Sequence, residues 1–588
     1  MNSGGNPPTL SRKEKLRRIY RAIYFILALA GILGLIYDTG INRSYRVIEF
    51  LYWVFHLSLV TGIVFIILIY LSRKTRPKRK VWAVDAFLLL FFSFLIIDLL
   101  GLSDVEFFSI RIWLNTALVI NFIRSLAAIR LDLKGRYLNP ARLFILSFLI
   151  IIFLGTVLLM LPNATYHGIS FLDALFTSTS SVCVTGLIVV DTGEYFTRFG
   201  QTIMLVLIQA GGIGIMTFTS YFGFFFKGGS SYQNRLMMQD MNNDEKTAEV
   251  FNTLKKIILV TFVIEGVGAA LIYTSILSNP SATTGGNVFF SIFHSVSGFC
   301  NAGFSTLTQS LYDPAFRYNY PLHLILAFLF IIGGLGFPIV FNTLTYLRYL
   351  FIDRLLRRTS NYQPWLIGIN TRLVVITTFI LLGSSTLLFF SFEYNNTLAE
   401  HGFIGKIVTA FFSAATPRTA GFNMVDMSAL HFPTTMLILL LMWIGASPAS
   451  TGGGVKTSTF AIAVLNFVSI AKGKDRIEVF KREISSMSIR RAFAIISLSI
   501  LVIGTSVMLL VYFDGNKGLL PLAFESFSAF STVGLSLGIT ESLSSAGKVV
   551  IIFTMFIGRV SMLTILVAFM RRLINLKYKY PTEEILIN

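Results

Sequence analysis

Long apolar runs of roughly helical membrane length alternate with short polar or basic connections along nearly the whole chain. A helix of about 20 apolar residues crosses the hydrocarbon layer of a bilayer, so the pattern predicts an all-α polytopic membrane protein. Four spans are expected in the N-terminal region, at 18–37, 47–72, 81–101 and 105–128. Beyond residue 140 the spans come in pairs: 141–161 with 199–226, 255–278 with 320–350, 368–392 with 433–470, and 489–513 with 547–570. Between the members of each pair lies a short stretch rich in hydroxyls and ending in glycine, at 177–188, 291–305, 411–423 and 525–536.

The glycines in these stretches, Gly186, Gly303, Gly421 and Gly534, are separated by 117, 118 and 113 residues. A near-constant period marks an internal repeat, and one chain thereby supplies four quarters of a ring. Serine and threonine favour short capped turns, and glycine permits backbone angles that aim carbonyl oxygens at an axis. Irregular backbone at membrane depth has to be lined by protein or water, and a pore provides that setting. Taken singly, each stretch reads equally well as small-residue packing between helices; the fourfold recurrence favours an ion pathway.

Composition narrows the class. The 588 residues are 54% hydrophobic and only 13% charged, with a mean hydropathy of +0.72, whereas soluble domains are about 25% charged. The net charge of +20 does not point to nucleic acid, because the basic residues cluster on alternate connections. Such clusters are Arg12, Lys13, Lys15, Arg17, Arg18 and Arg21; Arg73, Lys74, Arg76, Lys78, Arg79 and Lys80; and Lys472, Lys474, Arg476, Lys481 and Arg482. The positive-inside rule puts them, and both termini, on the cytoplasmic side of the cell membrane, where they also attract anionic lipid headgroups. The two cysteines, Cys183 and Cys300, lie inside candidate ion-path stretches and suggest neither a disulfide framework nor a metal site.

The segments Val182-Cys183-Val184-Thr185-Gly186-Leu187, Cys300-Asn301-Ala302-Gly303-Phe304, Thr419-Ala420-Gly421-Phe422-Asn423 and Thr532-Val533-Gly534-Leu535-Ser536 resemble the four selectivity filters of the Trk/Ktr/HKT superfamily of potassium transporters. The likeness is to the pore-forming membrane subunits and covers roughly residues 140–588. Gly211-Gly-Ile-Gly214, Gly333-Gly-Leu-Gly-Phe-Pro338, the run from Gly445 to Thr457 and Ile557-Gly-Arg-Val560 support it. The resemblance implies four helix–pore-loop–helix repeats with pseudo-fourfold symmetry around one pore. It implies potassium coordinated by carbonyls of Val182, Cys183, Val184, Thr185, Gly186, Asn301, Ala302, Gly303, Thr419, Ala420, Gly421, Thr532, Val533 and Gly534. Glycine rather than serine at 186 resembles the potassium-favouring branch. The family also implies a homodimer served by a cytoplasmic nucleotide-binding regulatory subunit, with no covalent cofactor.

Two features within the spans bear on gating. Three successive glycines, Gly452, Gly453 and Gly454, interrupt the apolar run 433–470, each costing about 1 kcal/mol relative to alanine in a helix. The family places a gate loop here, so Gly452, Gly453, Gly454 and Lys456 are assigned to gating within a loop at 449–456. Arg559 lies within the last span, where a charge must face protein or water; a positive barrier under the filter is expected, with an interhelical salt bridge as the alternative. Ser561-Met562 departs from the family's common Gly-Pro after Gly-Arg-Val.

Other polar residues receive structural readings. Glu265 is expected to pair between helices, and His294 to bond neighbouring backbone. The arginines at 111, 124 and 130 lack the spacing of a voltage-sensing stripe and are expected to reach for the interface. No nucleotide-binding loop is present: Val455, not glycine, precedes Lys456, and the cluster at 211–214 follows no strand. The expected units are 1–140, 141–226, 255–350, 368–470, 489–572 and a cytoplasmic tail at 573–588, with a polar connection at 227–254. The function expected is potassium uptake, and not an enzyme activity. The alternative is a sodium-coupled or weakly selective cation transporter of the same fold; an enzyme or organic-solute carrier would gather more His, Asp or Glu near the midplane.

Overall fold

The computed structural model describes residues 12–41, 45–71, 79–100, 111–128, 140–226, 243–277, 284–348 and 368–560. The expectations for 73–78, Arg130, the connection at 227–242, Ser561-Met562, Arg571, Arg572, Lys577, Lys579 and the tail 573–588 lie outside these residues. The chain divides into two compact units, Met1–Tyr137 with Leu161–Asn163, and Leu138–Met160 with Ala164–Asn588. Seven described helices are long and apolar enough to cross a membrane, eight if one bent pair counts as a single span.

The first unit contains α1 (Arg12–Gly40), α2 (Tyr45–Leu71), α3 (Arg79–Leu99) and α4 (Arg111–Ala128). They pack around Phe55, Leu59, Ile66, Leu88, Phe92 and Leu118. Several polar groups inside the bundle find partners, as burial favours. Asn121 accepts from Tyr24 Oη at 2.8 Å and donates to the Ser58 carbonyl at 2.8 Å. Arg124 does not reach for the interface as expected: it forms a 2.7 Å ion pair with Asp85, which also accepts from Tyr70. A carboxylate on the neighbouring helix neutralises the charge locally.

The second unit repeats one order of elements: long helix, short helix, irregular glycine segment, second helix. The first pass is α5 (Pro140–Leu159), α6 (Phe171–Val182) and α7 (Arg198–Phe226). The second is α8 (Asn243–Ile276), α9 (Thr284–Phe299), then α10 (Tyr320–Leu335) and α11 (Phe337–Arg348). The third is α12 (Ile369–Glu393), α13 (Phe403–Ala415), then α14 (Phe432–Trp443) and α15 (Thr457–Ala471); the fourth is α16 (Ser486–Asp514), α17 (Leu519–Ser531) and α18 (Ser545–Val560).

Two elements depart from the sequence expectation. The span 320–350 is not continuous: α10 and α11 meet at a bend of 104°. Gly336 makes the bend, with φ +79° and room for no β-carbon, since one would stand 2.8 Å from the Ala449 carbonyl oxygen. Pro338 then starts the new helix without needing an amide donor. Helix α8 begins at Asn243, inside the stretch read as a polar connection to 254, because that stretch is polar yet rich in good helix formers such as Lys246, Ala248 and Glu249.

Packing joins the four passes in a closed order. The second helix of each pass lies against the short helix of the next: α7 on α9, α10 on α13, α14 on α17, and α18 back on α6. Lys548 of α18 bonds Asp173 in the first turn of α6 at 2.6 Å, which fastens the last pass to the first. In the third pass Glu393, fully buried at the end of α12, accepts from Thr434 at 2.6 Å, Asn396 at 2.8 Å, Thr397 at 2.9 Å and the His431 amide at 3.0 Å. Hydrogen bonds to a charged group contribute about 1.5–3 kcal/mol each and do not add fully. Glu393→Ala is therefore expected to lower thermal stability in detergent by several degrees, with Glu393→Gln intermediate, as read by thermal unfolding.

Candidate ion-conduction site

Each short helix ends in the same backbone device. Two residues before each glycine stands a residue with positive φ: Val184 at 54°, Asn301 at 60°, Thr419 at 79° and Thr532 at 49°. The glycines follow with φ of 90°, 70°, 81° and 92°. Left-handed conformations of residues other than glycine cost about 1–3 kcal/mol and persist only where surroundings hold them. Here a hydroxyl does so. Ser180 donates to the Leu187 carbonyl at 2.7 Å and Ser297 to that of Phe304 at 2.8 Å; Thr416 donates to that of Phe422 at 2.7 Å. Ser528 accepts from the Gly534 amide at 3.1 Å, as Ser180 does from Gly186. The third segment is one residue shorter from hydroxyl to glycine, and its helix end adjusts: Ala420 N bonds Thr416 O, whereas the other three use a span longer by one.

The four segments meet. A β-carbon on Gly186 would stand 2.3 Å from the Ala302 carbonyl oxygen, and one on Gly303 2.8 Å from that of Ala420. One on Gly421 would stand 2.3 Å from the Val533 oxygen, and one on Gly534 2.3 Å from the Thr185 oxygen. Each glycine thus abuts the carbonyl just before the next glycine, and the fourth returns to the first. The expected stretch of the first segment begins at the end of α6. Val182 is the last residue of α6, and its carbonyl packs against Gly211 of α7; Cys183 is the helical cap. The Phe299 and Phe530 carbonyls meet Gly333 and Gly558 in the same way. Val182 and Cys183 thus lie at the end of α6, and Val184, Thr185 and Gly186 in the irregular segment that follows.

Above the glycines opens a cavity of about 330 Å³ whose lining includes Gly186, Gly303, Gly421 and Gly534 together with Asp191, Asp426 and Glu541. No lysine or arginine is among the described residues that line it. Asp191 accepts from the amides of Gly193 at 2.7 Å and Glu194 at 2.8 Å. Burial nevertheless outweighs these bonds and holds its carboxyl above the usual aspartate range, with Glu194 and Glu541 adding in the same direction. The described charged residues of this lining are all acidic.

On the other side of the ring the helix of the third pass is interrupted from Ile444 to Lys456. Its two limbs are tied where Gly445 N bonds Val455 O at 3.0 Å and Val455 N bonds Trp443 O at 3.1 Å. The break is wider than the expected 449–456. Its tip meets the ring: β-carbons on Gly452 and Gly453 would collide with the hydroxyls of Thr419 at 2.1 Å and Thr532 at 2.4 Å. Gly454 is needed for conformation, at φ +69°. Lys456 caps α15 and donates to the Gly452 carbonyl, and buried Arg559 donates to the Thr451 carbonyl. Among the described ion pairs Arg559 has no carboxylate partner, so the salt-bridge alternative finds no support. Two basic side chains thus bond adjacent carbonyls of one loop.

The flanking polar residues take the structural roles expected of them. Glu265 accepts from Gln209 of α7 at 3.1 Å. His294 donates through Nδ1 to the Phe290 carbonyl at 2.9 Å and accepts through Nε2 from Ser305 at 2.9 Å. Cys183 and Cys300 are free and buried. Sequence reasoning assigned nothing to the acidic mouth, the hydroxyl clamps or Arg418, whose guanidinium is buried behind the third segment and donates to Thr457 at 3.2 Å. The clamps had a legible signal, since Ser180, Ser297 and Ser528 each precede their glycine by six residues.

Comparison with known proteins agrees with this arrangement. The family model described as TrkH, cation transport protein, matches residues 133–576. The Ktr system potassium uptake protein B of Bacillus subtilis is 35% identical over 453 residues, covering 76% of this chain and 96% of that protein. The potassium/sodium uptake protein NtpJ of Enterococcus hirae is 35% identical over 458 residues, covering 76% and 97%. The crystal structure of the potassium transporter TrkH from Vibrio parahaemolyticus superposes with a TM-score of 0.60 at 16% identity, covering 94% of this chain and 98% of that one, a likeness of fold. With its fold, its four converging glycine segments and a family match spanning most of its length, this multi-pass membrane protein belongs to the TrkH family of cation transport proteins.

Proposed function

We propose that the chain takes up potassium across the cell membrane through a filter made by Val184 to Gly186, Asn301 to Gly303, Thr419 to Gly421 and Thr532 to Gly534. Their carbonyls replace the hydration shell of the ion, and the ends of α6, α9, α13 and α17 add negative helix-dipole ends toward it. The observation that carries this reading is the closed order of contacts, in which each glycine faces the carbonyl before the next. The units 141–226, 255–350, 368–470 and 489–572 act as four repeats around one pore, and the protein acts as a transporter rather than an enzyme. Its driving force is the membrane potential, which contributes about 2.3 kcal/mol per 100 mV for one charge moving inward.

The loop around Gly452, Gly453 and Gly454, held by Lys456 and Arg559, closes the path beneath the filter. The family resemblance extends the proposal to a homodimer controlled by a cytoplasmic nucleotide-binding subunit, with both termini inside. The exposed side chains of Lys472, Lys474, Arg476 and Arg482 between α15 and α16, of which Lys474 and Arg476 pair with Glu478 and Glu483, offer that subunit or anionic lipid a mixed, net-basic face. A second reading, sodium-coupled or weakly selective transport, is favoured by the likeness to the Enterococcus hirae relative, a potassium/sodium uptake protein. Rubidium uptake into potassium-depleted cells, with and without sodium, separates the two. Uptake independent of sodium and little competed by it is the expected result; a strict sodium requirement favours the second reading.

A further inference from the structure

Three consecutive residues of the gate loop meet three consecutive members of the filter ring. Thr451 donates its hydroxyl to Asn301 Oδ1 at 3.0 Å. Gly452 lies against Thr419, and Gly453 against Thr532. Asn301, Thr419 and Thr532 hold one equivalent place, the left-handed residue two before the filter glycine. The loop therefore follows the underside of the second, third and fourth filters in order.

Asn301 is the one member of this set whose side chain bonds in both directions. Its Nδ2 donates to Thr419 Oγ1 at 3.2 Å, joining the second filter to the third, while Oδ1 accepts a hydrogen bond from the Thr451 hydroxyl. All three side chains are fully buried. The amide is boxed in, since β-carbons on Gly333 and Gly334 would stand 2.6 Å from Oδ1 and 3.5 Å from Nδ2. Asn301 is followed by Ala302, whose carbonyl is the group that faces Gly186.

We infer that Asn301 is a latch between gate and filter, and that Thr451 is a positioning residue for ion selectivity, acting through it. When the loop leaves its seat, Oδ1 loses the Thr451 donor, and the Asn301–Thr419 bond that ties two filters together loosens. Opening and selection are then linked events: the loop in place holds the second and third filters in register, and its displacement relaxes them. The inference rests on the filter reading above.

The test is initial influx of rubidium and of sodium into liposomes containing the purified full-length protein, for wild type, Thr451→Val, Thr451→Ala and Thr451→Ser. Valine keeps the shape of threonine, alanine adds no bulk, and both lack the hydroxyl; all four leave the backbone carbonyl for Arg559. The loss of one buried hydrogen bond is expected to raise rubidium influx and lower the rubidium-to-sodium ratio by about two- to tenfold in Val and Ala. Serine is expected to retain the wild-type ratio. A wild-type ratio in both Val and Ala overturns the latch even if their influx changes, because the loop then gates without reaching the filter. A wild type that conducts rubidium and sodium alike overturns the filter reading, and the latch with it.

Discussion

Gly186→Ser is expected to abolish the preference for potassium over sodium, lowering the rubidium-to-sodium influx ratio by more than about tenfold, equivalent to 1.4 kcal/mol. Two effects act together. The residue holds φ +90°, a conformation that costs any side chain about 1–2 kcal/mol. A β-carbon there would also stand 2.3 Å from the Ala302 carbonyl oxygen and 3.3 Å from the Gly303 Cα. The second filter must retreat to admit it, which widens the ring at the oxygens that would replace water. Gly168→Ser separates the two causes, because Gly168 has φ +75° with open space around its Cα. It should leave the ratio unchanged. Equal ratios for wild type and Gly186→Ser would remove Gly186 from the selecting ring.

The recurrence of glycine at nearly equal intervals was sufficient to identify the four passes, because each pass is a local pattern of apolar helix, hydroxyls and glycine. What the sequence concealed is set by contacts between passes. Gly336 bends the second pass by 104° because Ala449, more than a hundred residues later, occupies the space that a straight helix would leave to a side chain. No periodicity within 320–350 carries that information. Val182 reads as part of an unbroken motif with Gly186, yet its carbonyl is turned toward Gly211 by the end of α6. The three carboxylates of the mouth, Asp191, Asp426 and Glu541, are scattered over 350 residues and become a group only when the ring closes.

The third pass differs from the others in a way that explains its composition. In the first, second and fourth passes a glycine of the second helix lets that helix lie on a carbonyl in the last turn of the short helix, as Gly211, Gly333 and Gly558 do. In the third, α14 stops at Trp443 and the chain spends the following residues as a loop. The carbonyls freed by this break need donors, since membrane depth offers no bulk water. Lys456 and Arg559 supply them at Gly452 and Thr451. On the proposed conduction path the same two side chains would place positive charge beneath the filter, so the structural solution would also serve as an electrostatic barrier.

Arg559→Gln should accordingly raise rubidium influx by about tenfold or more in liposomes carrying equal amounts of protein. At an effective dielectric constant of about 20, a unit charge roughly 8 Å from a cation repels it by about 2 kcal/mol, and glutamine removes that repulsion. It also weakens the hold on Thr451, which favours loop displacement in the same direction. Arg559→Lys distinguishes the contributions, because it keeps the charge and loses the planar donor set; its influx should fall between wild type and Arg559→Gln. Should glutamine reduce influx while the protein remains folded and monodisperse, the guanidinium would be a support for the open path rather than a barrier across it, and the assignment of Arg559 to the gate would fail.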